Sequence, residues 1–138
     1  MTLPTFASLV VAGLLTMYAY PATAQSGSAG RPQSTRDGVY TVEQARRGEK
    51  IVAETCGACH MQDWFVETLM QSWAGAPVGM LYELIATTMP QDSPGGLSQQ
   101  QYADVLAYIF ELNELPAGQE ELSASKEVLG TILIERRQ

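Results

Sequence analysis

Cys56-Gly57-Ala58-Cys59-His60 is the stretch of this chain whose residue types and spacing could do chemistry. C-x-x-C-H is the attachment signature of a c-type haem. Two thiols at that spacing can each add across one of the two vinyl groups of a porphyrin, and the adjacent imidazole then serves as an axial ligand to the iron. The sequence holds two cysteines and one histidine in all, which is material for a single such site. Rival chemistries fit less well. A structural zinc centre takes four ligands from Cys and His, and this segment offers three. A thioredoxin-like dithiol needs strand–helix–strand context, which the pattern does not supply. A disulfide across two intervening residues gives His60 no role.

An iron held by His60 has a second axial position. With no other histidine, that position falls to methionine, lysine, a small ligand or nothing. Beyond the leader, methionine occurs as Met61, Met70, Met80 and Met89. Met61 adjoins His60 and cannot reach the opposite face. Met70 and Met80 fall in helical stretches, where methionine most often fills gaps in a core. Met89 stands at a helix end, is stiffened by Pro90 and precedes a flexible loop, so it is the expected ligand. His/Met ligation raises the reduction potential and fills both axial positions, which argues against catalysis at the iron. No residue is expected to act as acid, base or nucleophile, so the chain is read as an electron carrier and not an enzyme.

Helices must position these groups. Thr41-Val42-Glu43-Gln44 has capping-box form and opens a helix from about Val42 to Glu54, with Ala45, Gly48, Ile51 and Val52 on one face. A mid-helix glycine costs stability relative to alanine, so Gly48 implies a packing reason. Phe65, Leu69 and Met70 predict a helical turn or two ending near Ala74-Gly75. Val78 to Thr88 is a second helix, with Leu81, Leu84 and Ile85 apolar at the right period, and Met89-Pro90 stops it. Gln91 to Leu97 carries two glycines and a proline and reads as a loop. Ser98-Gln99-Gln100-Gln101 is a second capping box, opening a helix to about Leu112 with Tyr102, Val105, Leu106, Ile109 and Phe110 inward. Pro116-Ala117-Gly118 closes it. No strand pattern precedes the last residues and no internal repeat is evident, so the expected fold class is all-α.

The ends carry targeting and tethering signals. Leu9 to Leu15 is a short apolar run, and Ala22-Thr23-Ala24 is a small-residue cleavage site, so residues 1–24 read as a secretory signal peptide. They hold no Lys or Arg, which leaves a retained anchor open, but Thr16, Tyr18 and Pro21 break a stretch already short for a membrane span. Export agrees with covalent haem attachment, which bacteria carry out outside the cytoplasm, and places the protein in the periplasm with no membrane span after cleavage. Residues 25–38 are rich in Gly, Ser and Pro and read as a flexible leader. Residues 39–118 form the expected domain. Residues 119–138 form an extension with a short helix and an apolar tail, Ile132-Leu133-Ile134, that either wraps the body or docks a partner. The net charge of −7 argues against nucleic acid and favours positively charged docking surfaces, although solubility explains it as simply.

Together these residues resemble a class I mono-haem cytochrome c. The resemblance rests on Cys56-x-x-Cys59-His60, Met89-Pro90, a first helix with Gly48 and a last helix with Tyr108. It implies that the first and last helices cross tightly around one covalent haem c, with Gly48 receiving Tyr108. Leu81-Tyr82 through Met89-Pro90, Pro94-Gly95-Gly96-Leu97-Ser98 and Tyr102-Ala103-Asp104-Val105-Leu106-Ala107-Tyr108 further resemble the small cytochrome c domains and subunits of bacterial quinoprotein (PQQ-dependent) dehydrogenases. That likeness implies a dehydrogenase as electron donor and an oxidase or another carrier as acceptor. The protein is then a monomer or a fixed subunit of the dehydrogenase complex; a haem sensor or enzyme with an open iron site is the remaining alternative. Trp73 matches a family tryptophan that donates to a haem propionate, and Tyr82 could serve similarly. The chain departs from the family after His60, where Met61-Gln62-Asp63-Trp64 replaces the usual Gly, and no Pro precedes Pro77 to orient the imidazole. The segment from His60 to Trp73 is also short, which predicts a more exposed haem edge.

Overall fold

The computed structural model describes residues 33–136, with backbone alone over residues 67–69. The expected signal peptide, residues 25–32 and the side chain of Leu69 lie outside the described residues. The chain runs through β1 (Gln33–Ser34), a 3-10 turn (Thr35–Asp37), α1 (Val42–Ile51), π-helical segments at Val52–Cys56 and Trp64–Leu69, α2 (Met70–Trp73), α3 (Val78–Thr88), α4 (Gln99–Leu112), α5 (Lys126–Leu129) and β2 (Ile132–Leu133). The described residues are mostly helical, and the two strands among them are two residues each.

The long helices start and stop where local chemistry directs. Ser98 caps α4 by accepting from the Gln101 amide, while the Gln101 side chain accepts from the Ser98 amide, which satisfies two donors that the helix start leaves open. Along α4 the residues from Tyr102 to Ala107, together with Ile109 and Phe110, are all buried. This helix is therefore the axis of the core and not a surface helix with one apolar stripe. Pro77 leads into α3, which buries Val78, Leu81 and Tyr82, and the helix ends at Met89, where Pro90 forbids continuation.

The first capping box is only half made. Thr41 accepts from the Gln44 amide as expected, but the Gln44 side chain does not return to the cap. It is fully buried and spans to the C-terminal extension, donating to the Leu122 carbonyl at 2.9 Å and accepting from the Leu122 amide at 2.7 Å. A partner distant in sequence outcompetes the local one because Leu122 is buried and its peptide groups need satisfying away from water.

The N-terminal end of the described chain departs from the expectation of a loose flank, and the C-terminal end takes one of its two expected courses. Residues 33–38, read above as flexible leader, are tied down. Gln33–Ser34 pairs in parallel with Ile132–Leu133, and Thr35 exchanges hydrogen bonds with the Glu135 backbone. The extension wraps the body: Leu122, Leu129, Ile132 and Ile134 are core residues, and Ile134 exchanges backbone hydrogen bonds with Gly75 and Ala76. The apolar tail that sequence left undecided is thus an inner layer, burying surface that water would otherwise meet.

Helices α1 and α4 meet at Gly48. A Cβ there would lie 1.9 Å from the Asp104 carbonyl oxygen and 2.9 Å from the Tyr108 Cβ, so the glycine is required by a backbone-to-backbone approach. Beside this contact Arg47 grips the buried Asp104 carboxylate with two hydrogen bonds of 2.9 and 3.0 Å and reaches Glu121 at 2.9 Å. The bond to Asp104, above all, holds the guanidinium pKa well above its ordinary value.

Candidate functional site

The C-x-x-C-H segment begins as a continuation of α1. From Val52 to Cys56 the chain winds more widely, closed by a Gly57 amide to Val52 carbonyl bond of 2.8 Å. Such wide turns recur at functional sites because they re-aim side chains without ending a helix. The Cys59 and His60 amides then both bond the Cys56 carbonyl, at 3.1 and 2.9 Å, folding the five residues into one tight turn. Both thiols are free; Cys56 is half-buried and Cys59 exposed. Burial pushes the Cys56 thiol up from its ordinary pKa of 9.0.

His60 stacks on Trp64, with ring centroids 4.4 Å apart and planes 29° from parallel, and meets Phe65 at 5.7 Å. Trp64 and Phe65 are themselves edge to face. This aromatic cluster directly follows the C-x-x-C-H turn. It is anchored to the body by buried Phe65, whose carbonyl accepts from the Asn113 side chain at the end of α4.

Facing this turn is a cavity of about 700 Å3, within the range of pockets that enclose small molecules and cofactors. It is lined by Cys56, Cys59 and His60 of the turn, by Met89 and Pro90 at the end of α3, and by apolar residues of α3 and α4 such as Leu81, Val105 and Ile109. The structure therefore brings together four residues singled out from sequence: two thiols, an imidazole and a thioether around one largely apolar chamber. Met70 is core, as its helical setting predicts. Met80, expected as a core filler, is instead 57% exposed on α3, because its position faces away from the layer made by Val78, Leu81 and Tyr82. Met61 is exposed beside His60.

Trp73 and Tyr82 are not among the residues lining the cavity. Trp73 is half-buried against the core, and the Tyr82 hydroxyl donates to the Gln99 carbonyl at 3.2 Å. Gly48 and Tyr108 belong to the helix contact described above, outside the chamber. Among the lining residues that sequence reasoning placed only as core is Tyr102. Its hydroxyl donates to the Met89 carbonyl at 2.7 Å. In sequence nothing separates Tyr102 from the other inward residues of α4.

Among the described residues no group of three or more His, Cys, Asp and Glu side chains is arranged to hold a bare metal ion, and no helix is long and apolar enough to cross a membrane. Comparison of the chain with protein-family models, with curated proteins and with solved structures found no match.

Proposed function

We propose that this protein is a periplasmic one-electron carrier of the class I cytochrome c type, holding one covalent haem c. The observation that carries the reading is one largely apolar chamber lined by both the C-x-x-C-H turn and Met89. The donor set suits this group. Each of Cys56 and Cys59 would add its S–H across a vinyl double bond, a reaction with no leaving group, and His60 would ligate the iron through a ring nitrogen. Met89, which lines the same chamber, would supply a soft thioether ligand. When bound, the haem supplies one-electron Fe(III)/Fe(II) chemistry at a potential that His/Met ligation raises.

The chain's own part is to hold, orient and exclude. Trp64 stacked on His60 limits rotation of the imidazole, a role played in other proteins by a hydrogen bond to the ring. Leu81, Val105 and Ile109 keep water from the chamber, which favours the less charged state of a centre held there. Cys59, exposed at the rim, marks the side on which a redox partner would approach. The donor is proposed to be a dehydrogenase and the acceptor an oxidase or another carrier. Such encounters bury little area, so that the partners part quickly.

The test is the visible spectrum of periplasmically expressed protein, oxidised and reduced. A sharp reduced α-band and a weak far-red band from Met-to-iron ligation, the latter lost in Met89→Ala, are expected. A five-coordinate spectrum that shifts with carbon monoxide would overturn the carrier reading in favour of a ligand-binding haem. Absence of visible absorption after expression with the haem-attachment machinery would overturn the haem itself.

A further inference from the structure

A helix that ends in a loop leaves carbonyl groups without partners, and a loop that carries a ligand must be fastened if that ligand is to stay in place. The segment from Pro90 to Leu97 closes two turns on itself, Ser93 amide to Pro90 carbonyl and Gly96 amide to Ser93 carbonyl, each at 2.9 Å. Those bonds shape the loop but do not attach it to the body. Residues 91–96 are exposed. Attachment comes from Tyr102, in the first turns of α4, 3% exposed and in the chamber wall. Its hydroxyl donates to the Met89 carbonyl at 2.7 Å and accepts from the Leu97 amide at 3.4 Å. One oxygen therefore touches both ends of the loop. Among the described residues, no other side chain from outside the segment hydrogen-bonds to it.

The Tyr102 ring is itself fixed. Tyr82 packs edge to face against it, with centroids 6.3 Å apart, and the Tyr82 hydroxyl bonds the Gln99 carbonyl, joining α3 to the start of α4. The Ser98–Gln101 capping box holds the same turn. Tyr102 thus stands on a rigid mount, while the loop it touches is exposed over residues 91–96 and otherwise meets the core through the Leu97 side chain.

Resting on the His/Met reading above, we infer that Tyr102 is a positioning residue that keeps the Met89 thioether at its post by clasping both ends of the 89–97 segment through a single hydroxyl. A tethered sulfur competes with dissolved ligands through its effective concentration, and that concentration falls when its tether loosens. Tyr102→Phe keeps the ring in the wall and removes only the clasp.

The experiment compares haem-loaded wild type, Tyr102→Phe and Tyr40→Phe in the ferric state, titrated with cyanide, with amide hydrogen exchange read in parallel. Tyr40→Phe is the control for general loosening, since it deletes a 2.7 Å hydroxyl-to-carbonyl bond, to Leu115, away from the chamber. In Tyr102→Phe the cyanide Kd should fall roughly three- to tenfold, the worth of one hydrogen bond, and the Leu97 amide should exchange faster by a similar factor. Tyr40→Phe should leave both within about twofold. An unchanged cyanide Kd in Tyr102→Phe, or an equal fall in Tyr40→Phe, overturns the clasp. So does a wild-type Leu97 amide that exchanges as fast as those of Gln91 and Asp92, a measurement that does not depend on the variant folding. If Met89→Ala keeps the wild-type spectrum, the His/Met reading itself fails and the clasp with it. If Met89→Ala loses the far-red band while Tyr102→Phe behaves as wild type, the clasp alone fails.

Discussion

Replacing Gly48 by alanine sets two physical effects against each other. In an isolated helix, alanine is favoured over glycine by about 1 kcal/mol. In this fold the added Cβ would meet the Asp104 carbonyl oxygen at 1.9 Å, its carbon at 2.6 Å and the Tyr108 Cβ at 2.9 Å. The first two are backbone atoms of α4, so no rotamer change relieves them. Reaching ordinary contact requires α1 and α4 to part by roughly 1.5 Å, and a gap of about 1 Å already forfeits around half the dispersion energy of each contact across it. Ala45, Ala103, Ala107 and Phe110 are fully buried, and Ala45 and the two α4 alanines are too short to follow a receding partner. Overpacking of this kind costs about 1–3 kcal/mol and occasionally more; with a backbone obstacle on one side, the upper end is the working figure. After the propensity gain, Gly48→Ala should destabilise by about 2 kcal/mol. The assay is urea unfolding of both proteins followed by far-UV circular dichroism, with m-values compared to confirm that the same surface is exposed. A variant as stable as wild type, or more stable, would refute the reasoning, because propensity alone would then have decided the outcome.

Gln44→Leu should cost about 2–4 kcal/mol, since it leaves both the amide and the carbonyl of buried Leu122 without a partner; urea unfolding checks the cost, and limited proteolysis should show earlier cleavage after residue 118. Tyr40 gives a pH-dependent prediction. Burial, with Glu111 adding, pushes its phenol from 10.0 up to about 12. Because the folded value is the higher one, the fold favours the protonated phenol. Its contribution is complete below pH 10 and fades as pH rises towards 12. Urea stability should therefore drop between those pH values in wild type and drop less in Tyr40→Phe; parallel curves would count against it.

The features legible in the sequence were those written into adjacent residues. The C-x-x-C-H run, the Ser98–Gln101 capping box, the bounds of α3 and its stop at Met89-Pro90 each depend on side chains within a few positions of one another, so local sterics and hydrogen bonding suffice to specify them. Gly48 was legible for a related reason: a costly residue inside a helix signals a close neighbour even before that neighbour is known. What only the tertiary structure decided were choices between partners of similar local merit. Gln44 could complete its own cap or satisfy Leu122, and burial of Leu122 settled it. The apolar tail could dock outward or inward, and pairing with Gln33–Ser34 on one side and residues 75–77 on the other drew it in. Tyr102 reads in sequence as one more core aromatic; that its hydroxyl meets both ends of the Met89 loop follows only from how α4 lies beside that loop. Hydrogen-bond geometry is set within a few tenths of an ångström, and sequence periodicity positions a side chain no more finely than a face of a helix.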